Sequence, residues 1–194
     1  STGDALVTDD TIYLFVDGRY HIQADLEVDK NFVTVIKLQT GEKFLDKLID
    51  FIPENEVLGV FSKKISQKDL EYIQKTVKTK LLDNDPLDEI RKYNKSAIAE
   101  VEGIPVNEKI KNIKETTIIT NLEEVSYLFN LRDFSKNYSS KICGKAVIHD
   151  NKAELVDDIE FFIKNYNGNE ICVDKSTINA YDYRLVGNKA KPCD

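Results

Sequence analysis

The chain of 194 residues has no methionine and no tryptophan, and only two histidines, three cysteines and four prolines. Each scarcity removes a class of chemistry. Neither His21 nor His149 has a second histidine at metal-ligand spacing, so both read as surface or satisfied side chains. Cys143, Cys172 and Cys193 are odd in number and widely spaced. That argues against a disulfide framework and for a reducing compartment. Cys143 and Cys172 fall in apolar, strand-like runs and read as small core residues. No apolar run approaches the ~18 residues needed to cross a bilayer. No charged n-region and apolar h-region open the chain, so no signal peptide is expected. The missing Met, at position 1 and throughout, and a start inside a hairpin together lead us to expect an incomplete chain.

Other absences concern catalysis. There is no Gly-rich phosphate loop and no Gly-x-Ser-x-Gly elbow, and Cys172 has no base near it in sequence. Acidic residues are many but dispersed. Asp157-Asp158 and Glu123-Glu124 stand at predicted helix starts, where a carboxylate stabilises the helix without catalysis. A dinuclear metal site needs several carboxylates converging from strands, and none can be assembled here. On its own residues the chain does not read as a complete enzyme.

What is present is ordinary for a globular protein: 41% hydrophobic and 31% charged residues, with a net charge of −7. The negative balance favours solubility and argues against a nucleic-acid surface. Lys63-Lys64 and the lysines from 75 to 80 read as solvated faces.

Ala5 to Thr8 and Thr11 to Val16 are strand-like and flank Asp9-Asp10, which predicts a hairpin. Asp17-Gly18 ends the second strand. Tyr20, Ile22, Ala24 and Val28 then suggest a short helix. Strands are predicted at 32–36 and 57–60, with a short one at Leu81-Leu82. Helices are predicted at 42–52, at 66–78 capped by Ser66, and at 86–93 capped by Asp85. The rhythm fails from Asn94 to Gly103, and the domain boundary is placed there, giving domains at 1–96 and 104–194. Helices then follow at 106–114, 122–129, 157–166 and 176–185. Strands are expected at 116–120, 142–149, 153–156 and 170–173. Alternating strands and helices predict an α/β fold with helices packed on a central mixed sheet.

The halves look duplicated. With Gly3 placed over Gly144, Ala5 falls on Ala146, Leu6 on Val147, Val7 on Ile148, Leu14 on Leu155 and Asp17 on Asp158. Further on, Asn55-Glu56-Val57 falls on Asn169-Glu170-Ile171. Two copies of one hairpin–helix–strand–helix unit are inferred. The second copy lacks Gly-Arg-Tyr after its hairpin.

Two stretches carry a family resemblance. Gly3-Asp4-Ala5-Leu6-Val7-Thr8, the strand 11–16, Asp17-Gly18-Arg19-Tyr20 and Gln23-Ala24 resemble the N-terminal domain of the creatinase / Xaa-Pro aminopeptidase family. Asn121 to Arg132, ending in Asn130-Leu131-Arg132, resembles a segment of the middle domain of its three-domain members. Tyr127 stands where the family has Trp. Asp133-Phe134 and Asn137-Tyr138 replace its usual Gly-Asp and Asn-Pro.

The resemblance implies two similar ribonuclease H-like domains of a longer, cytoplasmic enzyme that is homodimeric at full length. Two divalent metals, typically manganese, would sit in a further catalytic domain. That domain would remove an N-terminal residue preceding proline from short peptides. The present domains would cap the cleft and limit access to it. Arg19 matches a position that faces the cleft, and its plainer reading is a surface arginine paired with Asp17. Asp17, Gly18 and Tyr20 read as structural, as do Asn130 and Arg132 in holding inter-domain geometry. No catalytic residue, metal ligand, nucleic-acid contact or membrane contact is assigned to this chain. The alternative is a non-enzymatic protein of the same architecture whose N-terminal domains bind protein partners. A creatinase or prolidase, with one N-terminal domain, is a third reading.

Overall fold

The computed structural model describes residues 3–90, 95–135 and 137–193. Strands β1 (Asp4–Val7) and β2 (Ile12–Val16) form the expected antiparallel hairpin. Thr8 N–H donates to Thr11 O at 3.0 Å across its tip. Helix α1 (His21–Glu27) leads to β3 (Val33–Lys37), which pairs with β2 in parallel, as a helical crossover allows. After α2 (Phe44–Ile49) come β4 (Val57–Phe61), α3 (Gln67–Ile73) and β5 (Lys78–Leu82), with β4 and β5 paired. The predicted helix 66–78 therefore stops early. Thr76 and Val77 N–H both return to Ile73 O, and the β-branched Thr76, Val77 and Thr79 favour an extended chain. Asp85 caps as expected, accepting from Leu87 N–H at 2.8 Å, but the element it caps is a 3₁₀ turn, Pro86–Glu89. The last residues of the helix expected there, 91–93, lie outside the described residues.

The rest of the chain runs β6 (Ile98–Glu100), α4 (Val106–Ile110), β7 (Thr117–Ile119), α5 (Leu122–Phe129), β8 (Leu131–Asp133), β9 (Lys145–His149) and β10 (Lys152–Val156). It ends with α6 (Glu160–Asn165), β11 (Ile171–Val173), α7 (Ala180–Val186) and β12 (Ala190–Pro192). Helix α7 begins later than the expected residue 176. Asp174 and Ser176 form a side-chain turn first, and Asn179 then supplies the cap.

The described chain divides into two compact units. One is Ser1–Leu58 with Ile73–Thr79, and the other is Gly59–Tyr72 with Lys80–Asp194. This differs from the cut that sequence rhythm places between 96 and 104. In the first unit, Phe15 is buried and meets Phe44 and Phe51 edge-on, with centroids at 5.2 and 5.5 Å. In the second, a mixed sheet runs β10-β9-β7-β11-β12. Its period-two alternation feeds two cores. Val147 points to one, with Ile118, Ile171, Ile159 and Val186. Its neighbours Ala146 and Ile148 point to the other, with Ile110, Val125 and Leu128. Helices α4 and α5 cover one face, and α6 and α7 the other. Both faces being buried, β9 and β11 read as near-continuous apolar runs. The fold is thus mixed α/β with helices packed on mixed sheets.

The duplication is visible atom by atom. Asp4↔Phe15, Ala5↔Leu14, Leu6↔Tyr13 and Val7↔Ile12 in the first hairpin correspond to Lys145↔Val156, Ala146↔Leu155, Val147↔Glu154 and Ile148↔Ala153 in the second. A Cβ on Gly3 would lie 3.3 Å from Leu14 Cδ1, and one on Gly144 2.9 Å from Leu155 Cδ1. The helix starts of α3 and α7 also match. Ser66 Oγ accepts from Asp69 N–H at 3.0 Å, and Asn179 Oδ1 from Asp182 N–H at 2.8 Å. These two starts then bind each other reciprocally. Gln67 N–H donates to Ile178 O at 2.9 Å and Ala180 N–H to Ile65 O at 3.0 Å; Lys68 N–H donates to Lys175 O at 2.9 Å and Tyr181 N–H to Ser62 O at 3.0 Å. Such exchange is what a local two-fold between related segments produces. It explains why residues 59–72 belong with the second unit.

Candidate functional site

The junction from β2 to α1 is built by Asp17. Its Oδ1 accepts from Arg19 N–H at 3.0 Å, closing a side-chain turn that ends the strand. Tyr20 N–H donates to Asp17 O at 2.9 Å and starts α1. The same carboxylate holds the guanidinium: Nε donates to Oδ1 at 3.0 Å and Nη2 to Oδ2 at 2.7 Å. This bidentate fork fixes the plane of the guanidinium, whose carbon lies 5.4 Å from the Tyr20 ring centroid. The Arg19 side chain is nevertheless 73% exposed. Its side-chain hydrogen bonds, joined by its backbone N–H, hold the Asp17 carboxyl at about 2, against an ordinary 3.8. Asp17 in turn raises the Arg19 pKa. Gly18 has no described atom within 4 Å of a built Cβ and no positive φ, so the turn itself does not require glycine there. Tyr20 is half-buried. The result is a preorganised, solvent-facing guanidinium with free donor edges, suited to a carboxylate or carbonyl oxygen.

Asn130, Leu131 and Arg132 have a different task. Asn121 caps the N-terminus of α5, accepting from Glu123 and Glu124 N–H, as expected. Asn130 ends the helix in the left-handed conformation, φ 55° and ψ 34°, which Asn tolerates. Its Nδ2 donates to Ile104 O at 3.0 Å. Arg132 Nη1 donates to Ser126 O and Leu131 O, each at 2.8 Å. Lys109 Nζ donates to the Tyr127 and Leu128 carbonyls and to Asn130 Oδ1. Burial, then the Arg132 charge, lowers the Lys109 pKa. Two cations thus satisfy the orphan carbonyls of the last helical turn. Leu131 packs against the core under α5. Leu131 and Arg132 also pair with β6, a strand not expected from the sequence.

A cleft of about 440 Å³ opens in the second unit beyond the C-terminal ends of β7 and β11, lined by Lys63, Ser66, Thr120, Lys145, Thr177 and Asn179 among others. Open α/β sheets present such crevices at strand ends. Lys145 Nζ lies 2.7 Å from Asp182 Oδ2, and Asp182 is buried. Asn179 Nδ2 donates to the same oxygen at 2.8 Å. Neither Lys145 nor Asp182 is singled out by the sequence. The signal lay in the repeated Ile-(Ser/Asn)-x-x-Asp of residues 65–69 and 178–182.

The cysteines correct an expectation. Cys172 and Cys193 form a disulfide with Cα atoms 4.9 Å apart. Strand β12 runs parallel to β11, placing Lys191 opposite Cys172 and bringing the residue after β12 within reach. Cys143 is exposed rather than in the core, because it precedes β9 instead of lying within it. Among the described residues, no group of three or more His, Cys, Asp or Glu is gathered to hold a metal ion, and no helix is long and apolar enough to cross a membrane.

No family model matches the chain. It is similar to a probable Xaa-Pro aminopeptidase P of Coprinopsis cinerea, 25% identical over 213 residues, covering 94% of this chain and 33% of the relative. Xaa-Pro aminopeptidase 1 of Dictyostelium discoideum is 25% identical over 188 residues, covering 81% and 30%. The fold matches X-prolyl aminopeptidase from Caenorhabditis elegans, described as a cytosolic enzyme with a di-nuclear active site, at TM-score 0.67 and 15% identity over 98% of this chain and 32% of that one. The chain therefore spans about a third of the length of these proteins. The names of these sequence relatives agree with the resemblance read from the two motifs, and the solved structure shares the fold; together they support the creatinase / Xaa-Pro aminopeptidase family.

Proposed function

We propose that this chain supplies the non-catalytic N-terminal and middle domains of a metal-dependent Xaa-Pro aminopeptidase. The complete protein removes an N-terminal residue that precedes proline from short peptides. It works as a cytoplasmic homodimer with two divalent metals, typically manganese, in a further domain. Hydrolysis belongs to that domain. The described residues gather no metal-ligand cluster, so no step through a metal is assigned to them.

The present domains cap the cleft and restrict it to short peptides. One observation carries the reading. Asp17 and Asp158 make the same turn in the two copies, but only the first places an arginine on it. The guanidinium is therefore additional to what the fold uses, and its exposed face is available to a peptide or to the rim of the cleft.

The test is kinetic. Residues 1–194, purified with manganese, should not cleave a Xaa-Pro peptide, whereas the full-length product should. Arg19→Ala in the full-length protein should lower kcat/KM and leave Tm nearly unchanged. Cleavage by residues 1–194, or normal kinetics with a lowered Tm, would overturn the assignment.

A further inference from the structure

Strands β7 and β11 are parallel neighbours, with Cys172 opposite Thr117 and Val173 opposite Ile118. The chain leaves them over opposite faces of the sheet. From β7 it enters α5, whose Val125 and Leu128 pack with Ile148. From β11 it enters α7, whose Val186 packs with Val147. Parallel neighbours whose exits diverge leave a crevice beyond their C-terminal ends, and α/β sheets bind ligands at such points. The cleft of about 440 Å³ lies there, a volume within the range of small-molecule sites.

Its walls are held by hydrogen bonds. Thr120 follows β7 and Thr177 follows β11, and their hydroxyls meet at 3.1 Å across the two strand ends. Lys63 and Asp69 line it from the segment that carries the start of α3. The four backbone hydrogen bonds exchanged with residues 175–181 tie that segment down. Asp157 lines it from the end of β10, which reaches the same side of the sheet because β9 is antiparallel to both β7 and β10.

The charges in this lining are of both signs. Lys145 is already engaged by the buried Asp182 at 2.7 Å. Among the described residues, Lys63, Asp69 and Asp157 form no ion pair. One small space is therefore bordered by an ammonium and two carboxylates that do not neutralise one another, beside two hydroxyls. A ligand of a single charge would meet a like charge there as well as an opposite one, which disfavours it. A ligand that carries both charges matches the lining.

We propose that this cleft binds a short zwitterionic peptide of dipeptide size, its carboxylate facing Lys63 and its ammonium facing Asp69 and Asp157. The Thr120 and Thr177 hydroxyls, each able to donate and accept, hydrogen-bond its amide. Every residue of the site belongs to the second unit, so residues 1–194 suffice to test it, and the outcome does not depend on peptidase activity.

The probe is L-alanyl-L-alanine, titrated into isotope-labelled residues 1–194 and followed by NMR. The Thr120 and Thr177 amides should shift saturably, with a Kd of about 1 mM. The N-acetylated dipeptide and the dipeptide amide each lack one charge and should bind at least about tenfold more weakly. Lys63→Ala should weaken the dipeptide about tenfold and leave binding of the dipeptide amide unchanged. Asp157→Asn should weaken the dipeptide and leave binding of the acetylated form unchanged. Both side chains are exposed, so neither change should move Tm. The absence of a saturable shift up to about 50 mM dipeptide would overturn the proposal. So would an acetylated form that binds as tightly as the dipeptide, which would mark a plain anion site, or an amide that does so, which would mark a cation site. A dipeptide affinity indifferent to Lys63→Ala would overturn it as well.

Discussion

Asp17 and Asp158 perform the same act in the two copies. Each lends Oδ1 to the backbone N–H two residues on, at 3.0 Å, to Arg19 in the first and to Glu160 in the second. The residues after the aspartate differ, and the one receiving that turn differs in sign of charge. The turn is architecture that one sequence pattern encodes twice. The guanidinium on it is not required by that architecture, which is why it is the side chain to probe first.

The fork between these groups predicts a titration. The Asp17 carboxyl should titrate at about 2 by NMR and return towards the ordinary carboxylate range in Arg19→Ala. Because the folded-state value is depressed, whatever stability the pair contributes is fully present above about 4. It is lost as pH falls towards 2. Both groups face water, so the effect on Tm should be small and should shrink further in high salt. A midpoint near 4 in the unmodified protein would dissolve the fork.

A second prediction concerns the helix end at Asn130. A Cβ on Gly103 would lie 2.4 Å from Asn130 Oδ1. Gly103→Ala should therefore destabilise by about 1–3 kcal/mol in urea unfolding, as overpacking does. Asn130→Gly keeps the left-handed cap and removes the obstructing carboxamide. The double variant should then cost less than the two single changes added together. Strict additivity would mean the two residues do not meet.

Much of this fold was legible in the sequence because its signals are local. The bounds of α5, 122–129, follow from Asn121, Glu123 and Glu124 with apolar residues at helical spacing. The hairpins follow from alternation around Asp9-Asp10 and around Asp150-Asn151. What escaped depends on distant partners. Strands β6 and β8 exist only through each other. Strand β12 contains Lys191 and Pro192, and is a strand because β11 lies beside it. The Lys145–Asp182 pair likewise joins residues far apart in sequence, and nothing local to either announces it.

That pair supports a third prediction. Asp182 is almost fully buried and meets both Lys145 and Asn179. Removing one partner strands the other's charge in a poorly solvated place. Lys145→Ala should cost about 3–5 kcal/mol in chemical denaturation, whereas replacing both residues with apolar ones of similar volume should cost less. Asp182→Ala should be the milder single change, because the lysine side chain, at 20% exposure, can turn towards water. Equal effects of all three variants would place the pair at the surface in solution.

The last prediction sets the structure against the cysteine count. Three widely spaced cysteines argue for free thiols, yet Cys172 and Cys193 are bonded across a sequence separation of 21. A cross-link of that reach stabilises by about 3 kcal/mol, chiefly by constraining the unfolded chain. Protein unfolded without reductant should show one titratable thiol, at Cys143. Adding a small dithiol should reveal three and lower the Tm, and Cys193→Ser should reproduce the lower Tm whether or not reductant is present. Strand β12 is the element at stake, because the disulfide ties the segment after it to β11, one strand inside the sheet edge. Loss of the bond should therefore speed exchange at the β12 amides before those of β7. Three thiols in untreated protein would show that the bond does not form in the compartment where the chain folds, and that β12 holds to β11 by its backbone hydrogen bonds alone.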